Sequence, residues 1–262
     1  MPDIVVEVRG LRRDFGDLVA VDALDLKVER GQFLGFLGPN GAGKSTTIKM
    51  LTGLLRPTSG VIEVLGLNLE KDGVEVKRRI GVVPEGLALF ERLTGTQLLN
   101  FVGRMYSLDR DTAAARAAEL LEFMDLRSSA DKLVADYSHG MKKKIALAAA
   151  VIHRPDILFL DEPFEGVDAI AAGTLKAMLQ RFTARGGTIF LTSHVLEVVE
   201  RLCSHIAIIQ HGKLVTWGSI DELRQGVTLR DPQRAGQALT LEQIFLEVVG
   251  GAREAPTELS WL

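Results

Sequence analysis

Residues 38–46 read Gly38-Pro39-Asn40-Gly41-Ala42-Gly43-Lys44-Ser45-Thr46, a glycine-rich run closing on lysine and serine that fits GxxxxGK[ST]. Glycines at these spacings let successive backbone N–H groups wrap a phosphate chain, and a helix starting there adds its positive dipole end. Lys44 has the reach for the β- and γ-phosphates, and the Ser45 hydroxyl is a hard oxygen ligand for Mg²⁺. A second run, Ile157-Leu158-Phe159-Leu160-Asp161-Glu162-Pro163, delivers two adjacent carboxylates at the end of an apolar segment. In a parallel sheet, strand ends of this polarity face the ligand crevice. Asp161 is then placed to hold magnesium, directly or through water, and Glu162 to act as a base or to polarise water. A third run, Thr192-Ser193-His194, ends the next apolar segment, so His194 could donate to a terminal phosphate and sense its loss. The other histidines, His139, His153, His205 and His211, read as structural, and no His/Cys spacing suggests zinc.

These groups need elements to hold them. Ile4 to Val8, Leu18 to Val28 and Gly60 to Gly66 alternate apolar with polar residues, as half-buried antiparallel strands do. Between them, Phe33 to Leu37 is a short buried type of strand that runs into the glycines and then a helix. From about Leu93 to Ile152 amphipathic helical patterns replace strands, for example over Ala113 to Leu126. Beyond Pro155 the runs Ile157 to Asp161, Thr188 to Thr192 and His205 to Gln210 are buried strands separated by helices, the alternation of a parallel, helix-covered sheet. Gly212 to Gly218 reads as a hairpin strand. A last helical pattern puts Leu241, Ile244, Phe245, Val248 and Val249 on one face, packed on its own domain, with a loose tail after it.

Composition narrows the class. With 262 residues, 47% hydrophobic and 25% charged, the chain has length and apolar content for a sizeable core. A net charge of −3 lends no support to a general nucleic-acid binder, whose domains are usually strongly basic. The one cysteine, Cys203, excludes an intrachain disulfide and points to a reducing compartment. The start lacks the apolar core of a signal peptide, and the longest apolar stretch, Ile145 to Ile152, falls far short of the ~20 residues that cross a bilayer. Any work at a membrane is expected to go through a partner.

One segment needs a further explanation. Tyr137-Ser138-His139-Gly140-Met141-Lys142-Lys143-Lys144 reads as a helix start with Ser138 as N-cap, yet three lysines crowd the end that is already electropositive. A bound anion would account for the serine and the unhindered glycine, and a solvated basic face for the lysines. A P-loop, a helical stretch, this helix start and then the Asp-Glu strand is the order found in ABC ATPases, and residues 137–141 resemble that family's signature, usually written LSGGQ. The resemblance spans about residues 4–250.

The resemblance implies an α/β fold. It has a P-loop NTPase (RecA-like) core with a parallel sheet, an antiparallel β-subdomain and an ABC-type α-helical subdomain at about residues 89–150. It places the ATP-binding domain at 1–226 and a C-terminal extension, one amphipathic helix and a tail, at 227–262. It implies a head-to-tail dimer sandwiching ATP and Mg²⁺, so that Tyr137, Ser138, His139, Gly140 and Met141 meet the γ-phosphate of a nucleotide held by a second subunit. Phe15 would stack on adenine, Glu162 would be the general base, His194 the γ-phosphate switch, and the loop Glu165 to Asp168 would cross the interface. The helical subdomain would dock on an integral membrane permease, at the cytoplasmic face of the plasma membrane. The run Leu239 to Gly250 resembles the branch serving type-2 exporters of drugs, antibiotics, polysaccharides or lipids.

Departures from the family pattern fall in three places. Glu85 stands where the family has a glutamine touching Mg²⁺ and the attacking water; a carboxylate can still ligand magnesium, though beside Glu162 it adds repulsion. His139 and Met141 replace a glycine and the glutamine of the signature, and Glu165 replaces a serine. With the P-loop, Asp161, Glu162, Ser138, Gly140 and His194 all present, an active symmetric homodimer is expected; a homologous subunit is the other way to complete the pair. A soluble ATPase remodelling proteins or nucleic acid would carry coiled-coil insertions, paired ATPase domains or a basic surface, none of which is seen. A P-loop kinase or GTPase would have no use for the signature helix, and no NKxD tetrapeptide is present.

Overall fold

The computed structural model describes residues 3–230 and 239–249. Two long alternating strands, β1 (Ile4–Phe15) and β2 (Leu18–Glu29), pair antiparallel. After the short strand β3 (Phe33–Leu37) and helix α1 (Lys44–Leu51), β4 (Ser59–Val64) adds to β1, and β5 (Leu67–Asn68) closes a four-stranded antiparallel sheet in the order β2-β1-β4-β5. The period of two puts Val6, Val8, Leu11, Leu24, Leu26 and Val28 on its buried face.

Helix α2 (Gly73–Arg79) leads into β6 (Ile80–Val83), the first strand of the second sheet added after β3. The helical stretch follows as α3 (Gly95–Met105), α4 (Arg110–Phe123) and α5 (His139–Val151). The starts of α3 and α4 carry side-chain caps: Thr94 forms a capping box with Gln97, and Asp109 accepts from Thr112 N. The chain then alternates β7 (Ile157–Asp161), α6 (Ala169–Ala184), β8 (Thr188–Thr192), α7 (Leu196–Leu202), β9 (His205–Gln210) and β10 (Lys213–Ser219), and ends in α8 (Ile220–Arg230) and α9 (Leu241–Val249).

The six-stranded sheet has the order β10-β9-β3-β8-β7-β6, parallel throughout except for the antiparallel edge strand β10. Every residue of β3, β7 and β8 is buried, because both faces are covered. One face packs Phe36, Phe159 and Phe190 against the antiparallel sheet and α1; the rings of Phe36 and Phe190 are 5.2 Å apart and tilted. The other face packs Leu158, Leu160 and Leu191 against helices that contribute Leu98, Leu147 and Leu179. Each such side chain contributes roughly 1.5–3 kcal/mol, so the sheet carrying the chemistry is anchored on both sides.

The architecture is the α/β one expected, with its antiparallel and helical subdomains. β5, α2 and α8 escaped the sequence reading, and so did β6. This last strand is only four residues long and includes Gly81, so it carries little β signal of its own. Leu241 and Ile244 of α9 are buried, with Phe245, Val248 and Val249 partly so, as the helical face requires. The expected tail lies outside the described residues.

Candidate active site

The P-loop leaves β3 at Gly38, where a Cβ would fall 2.3 Å from the carbonyl oxygen of Ile209 on β9. Only glycine lets the two backbones lie that close. Gly41 and Gly43 take left-handed φ values of 79° and 107°, and α1 starts at Lys44 without a side-chain cap. Its first N–H groups are therefore free for an anion. Asn40 and Gly41 are exposed, Ala42 is buried beneath them, and Thr46 is partly buried. The Lys44 ammonium folds over the loop, donating to Gly38 O at 2.7 Å and Pro39 O at 3.2 Å.

The ends of β7 and β8 lie side by side, with Asp161 paired to Thr192 in register. Asp161 Oδ1 accepts from Ser45 Oγ at 3.2 Å and from Thr192 Oγ1 at 2.6 Å. A hydroxyl and a carboxylate at one point form an all-oxygen donor pair, which fits Mg²⁺. Glu85 is exposed in the loop after β6, and among the described residues no hydrogen bond joins it to Ser45 or Asp161. Of the expected metal ligands, Ser45 and Asp161 are hydrogen-bonded to each other, while Glu85, like Asp161, lies within electrostatic reach of Lys143.

Glu162 is held in an uncommon way. Its φ is 49°, a left-handed conformation that costs a non-glycine residue about 1–2 kcal/mol. Both its peptide groups are pinned: its N–H donates to Thr192 Oγ1 at 3.1 Å and to Thr192 O at 3.2 Å, and its carbonyl accepts from Lys143 Nζ at 2.9 Å. The turn aims the carboxylate at His194, whose Nδ1 and backbone N–H lie 2.9 and 3.2 Å from Oε2. The His194 ring is half exposed while the Glu162 side chain is 10% exposed, so the pair straddles the surface. The roles of Thr192 and Lys143 were not foreseen from sequence. The position of Thr192 beside the Ser-His pair was a usable signal; nothing local marked Lys143.

Ser138 caps α5 as expected, its Oγ accepting from Met141 N at 3.3 Å. The solvated basic face does not exist. Lys142 pairs with Glu91 at 2.6 Å, Lys144 approaches Asp125 at 3.9 Å, and Lys143 is only 2% exposed. The reason is the place of α5, enclosed between the helical subdomain and the sheet, so that nearly its whole circumference is covered. Burial lowers the Lys143 pKa, against the opposing pull of Glu165, Glu162, Glu85 and Asp161. Tyr137 turns inward, its hydroxyl donating to Ser129 O at 2.8 Å, so it anchors the segment from below. Ser138 and His139 stay exposed.

Gly140 faces the loop before α6: a Cβ there would sit 3.2 Å from Asp168 Oδ2. His139 Nε2 lies 3.1 Å from Glu165 O. Asp168 Oδ1 accepts from Ile170 N and Ala171 N, both at 2.9 Å, and these N–H groups hold its carboxyl below the usual range. Among the described residues, no hydrogen bond or ion pair joins 137–141 to 38–46. Phe15, at the tip of β1, is 45% exposed, with the Arg13 guanidinium 4.5 Å above its ring.

Comparison with known proteins agrees with this geometry. The family model described as ABC transporter matches residues 21–165. The chain is 39% identical over 248 residues to the daunorubicin resistance ATP-binding protein DrrA3 of Streptomyces coeruleorubidus, covering 92% of this chain and 78% of that one. It is 36% identical over 219 residues to the linearmycin resistance ATP-binding protein LnrL of Bacillus subtilis, covering 84% and 70%. The solved structure of an ATP-binding subunit of an ABC transporter superposes with a TM-score of 0.85 at 30% identity, over 93% of this chain and 99% of the other. A cassette dimer, MJ0796 bound to ADP and Pi, shares the fold with a TM-score of 0.76 at 21% identity, over 82% and 98%. The chain belongs to the ATP-binding family of ABC transporters.

Proposed function

We propose that the protein is the ATP-hydrolysing motor of an exporter, closing as a dimer around two ATP molecules and driving a separate membrane-spanning subunit. The observation that carries the catalytic half is convergence. The P-loop, the Thr192–His194 run and the Asp161–Glu162 pair leave the same ends of β3, β8 and β7, which are neighbours in the parallel sheet. In this reading backbone N–H groups of 38–46 and Lys44 hold the phosphates. Phe15 offers an exposed ring for the adenine. Ser45 and Asp161 hold Mg²⁺, which when bound offsets charge on the transferred group. Glu162 takes the proton of the attacking water, with His194 fixing its carboxylate.

The dimer is inferred from what one chain leaves unused. Ser138 is exposed, Gly140 packs against Asp168 and Ala171, and among the described residues neither is joined to its own P-loop, so a second copy, or a homologous subunit, supplies the phosphate they read. Loop 165–168, packed on that helix start, would lie at the same interface. Docking to the permease is assigned to the helical subdomain, whose Phe90, Phe101 and Met105 are 52%, 42% and 64% exposed. The phenyl rings meet edge-on at 5.1 Å. No helix among the described residues is long and apolar enough to cross a membrane, so anchoring falls to that partner. Residues 1–226 form the motor and 227–262 its extension. By likeness to the resistance proteins above, the cargo is a drug-like or antibiotic compound.

The experiment is Glu162→Gln with ATP and Mg²⁺. We expect a stable ATP-bound dimer by size-exclusion chromatography and turnover lowered at least about a hundredfold. Pull-down of that variant from native membranes should bring a polytopic protein in near-equal amount. A variant that binds nucleotide but stays monomeric counts against the mechanism, and a soluble partner alone counts against transport.

A further inference from the structure

The three lysines at the start of α5 are not absorbed by the function above, and the middle one is the most singular. Lys143 is a buried cation on the helix whose first residues are assigned to the phosphate of the partner's nucleotide. Its ammonium ends on the carbonyl oxygen of Glu162, 2.9 Å away, in the chain's own nucleotide site. Glu162 holds a left-handed backbone conformation, which persists only where its surroundings over-determine it. Thr192 holds one side of that residue, and on the other its carbonyl accepts from Lys143 Nζ at 2.9 Å and, less closely, from Glu165 N at 3.3 Å. Lys143 also stands among Glu165, Glu162, Glu85 and Asp161, and its neighbours Lys142 and Lys144 are turned to other acids, Glu91 and Asp125.

We propose that Lys143 is a positioning residue that ties the phosphate-reading helix start of each subunit to the general base of that same subunit, so that engagement of one ATP site sets the base geometry of the other. The inference rests on the reading of Glu162 as base and of 138–140 as acting in trans. Within one chain only five residues of helix and one hydrogen bond separate Ser138 from the Glu162 peptide. A shift of α5 when a γ-phosphate arrives is thereby passed to the turn that aims the carboxylate at His194. Lys143 touches neither nucleotide; it acts through the Glu162 backbone.

Mixed dimers of two differently tagged chains test this, with ATPase rate as the readout. Glu162→Gln in one subunit silences that subunit's site and leaves one working base. Adding Lys143→Met to the same subunit should then change nothing, because the working base has its own Lys143. Placing Lys143→Met in the opposite subunit should lower kcat about tenfold or more, with KM for ATP nearly unchanged. Lys143→Arg there should restore most of the turnover. A purely structural role for the lysine in its own helix start inverts or erases this asymmetry, since the same-subunit dimer would then present a damaged helix to the working site. Equal rates in the two arrangements overturn the proposal. If the methionine variant does not fold, Lys143→Gln, polar and too short to reach the carbonyl, carries the same expectation. The all-Glu162→Gln dimer is measured first: if it turns over normally, the base reading falls, and this proposal with it. If it is inactive while opposite-subunit Lys143→Met runs at full rate, only the proposal falls.

Discussion

His194 holds Oε2 of Glu162 twice, through Nδ1 at 2.9 Å and through its own backbone N–H at 3.2 Å. The backbone contact needs no side chain and is lost only on substitution by proline, so the ring and the N–H can be separated by mutation. If Glu162 is the base as proposed, His194→Ala should keep ATP-dependent dimerisation and lower kcat about a hundredfold, because the carboxylate loses its orienting ring. Steady-state ATPase assays alongside size-exclusion chromatography check this. Turnover within threefold of wild type would place the carboxylate under the control of the backbone alone.

Glu85 is exposed and stands outside the Ser45–Asp161 donor pair. Glu85→Gln should therefore retain most of the ATPase activity, within about threefold in kcat, a small change on the transition-state scale. If hydrolysis fails as completely as in Glu162→Gln, Glu85 swings into the closed site and carries chemistry of its own.

Acid should weaken the fold through His153. Its ring stacks on Tyr106 at 3.6 Å, Nε2 meets Ile80 O at 3.0 Å, and Nδ1 is buried without a partner. Burial brings its pKa down from 6.5 to about 4, with Arg116 acting in the same direction. The unfolded chain thus binds the proton first. Stability from this site is complete above about pH 6.5 and is lost as pH falls towards 4, by at most about 3 kcal/mol. Urea unfolding at pH 7 and pH 5 should show a smaller difference for His153→Phe than for wild type. An equal difference would assign the acid sensitivity elsewhere.

Gly81 marks where β6 passes under α5. A Cβ there would lie 2.2 Å from Ala150 O and 2.6 Å from Leu158 Cδ2. Gly81→Ala should destabilise by about 1–3 kcal/mol through overpacking, measured by urea unfolding. Gly86→Ala, in open space five residues on, serves as the control and should change little.

What the sequence determined by itself is the chemistry carried by contiguous residues. Gly38 to Thr46, Asp161-Glu162 and Thr192 to His194 are each built within one strand-to-turn segment, so their spacing survives in one dimension. The same holds for the Ser138 cap and for the alternation that makes β1, β2 and the buried strands. The folded chain alone decided which of these meet and what stands behind them. Asp161 meets Thr192 because β7 and β8 run parallel and in register, a pairing of residues 31 apart. The lysines of α5 read as solvated because charge in a sequence carries no information about what will cover it. Enclosure of α5 by the helical subdomain and the sheet turned Lys143 into a buried donor to the Glu162 backbone. Long-range packing, and with it burial, set that outcome, and neither is written in local spacing.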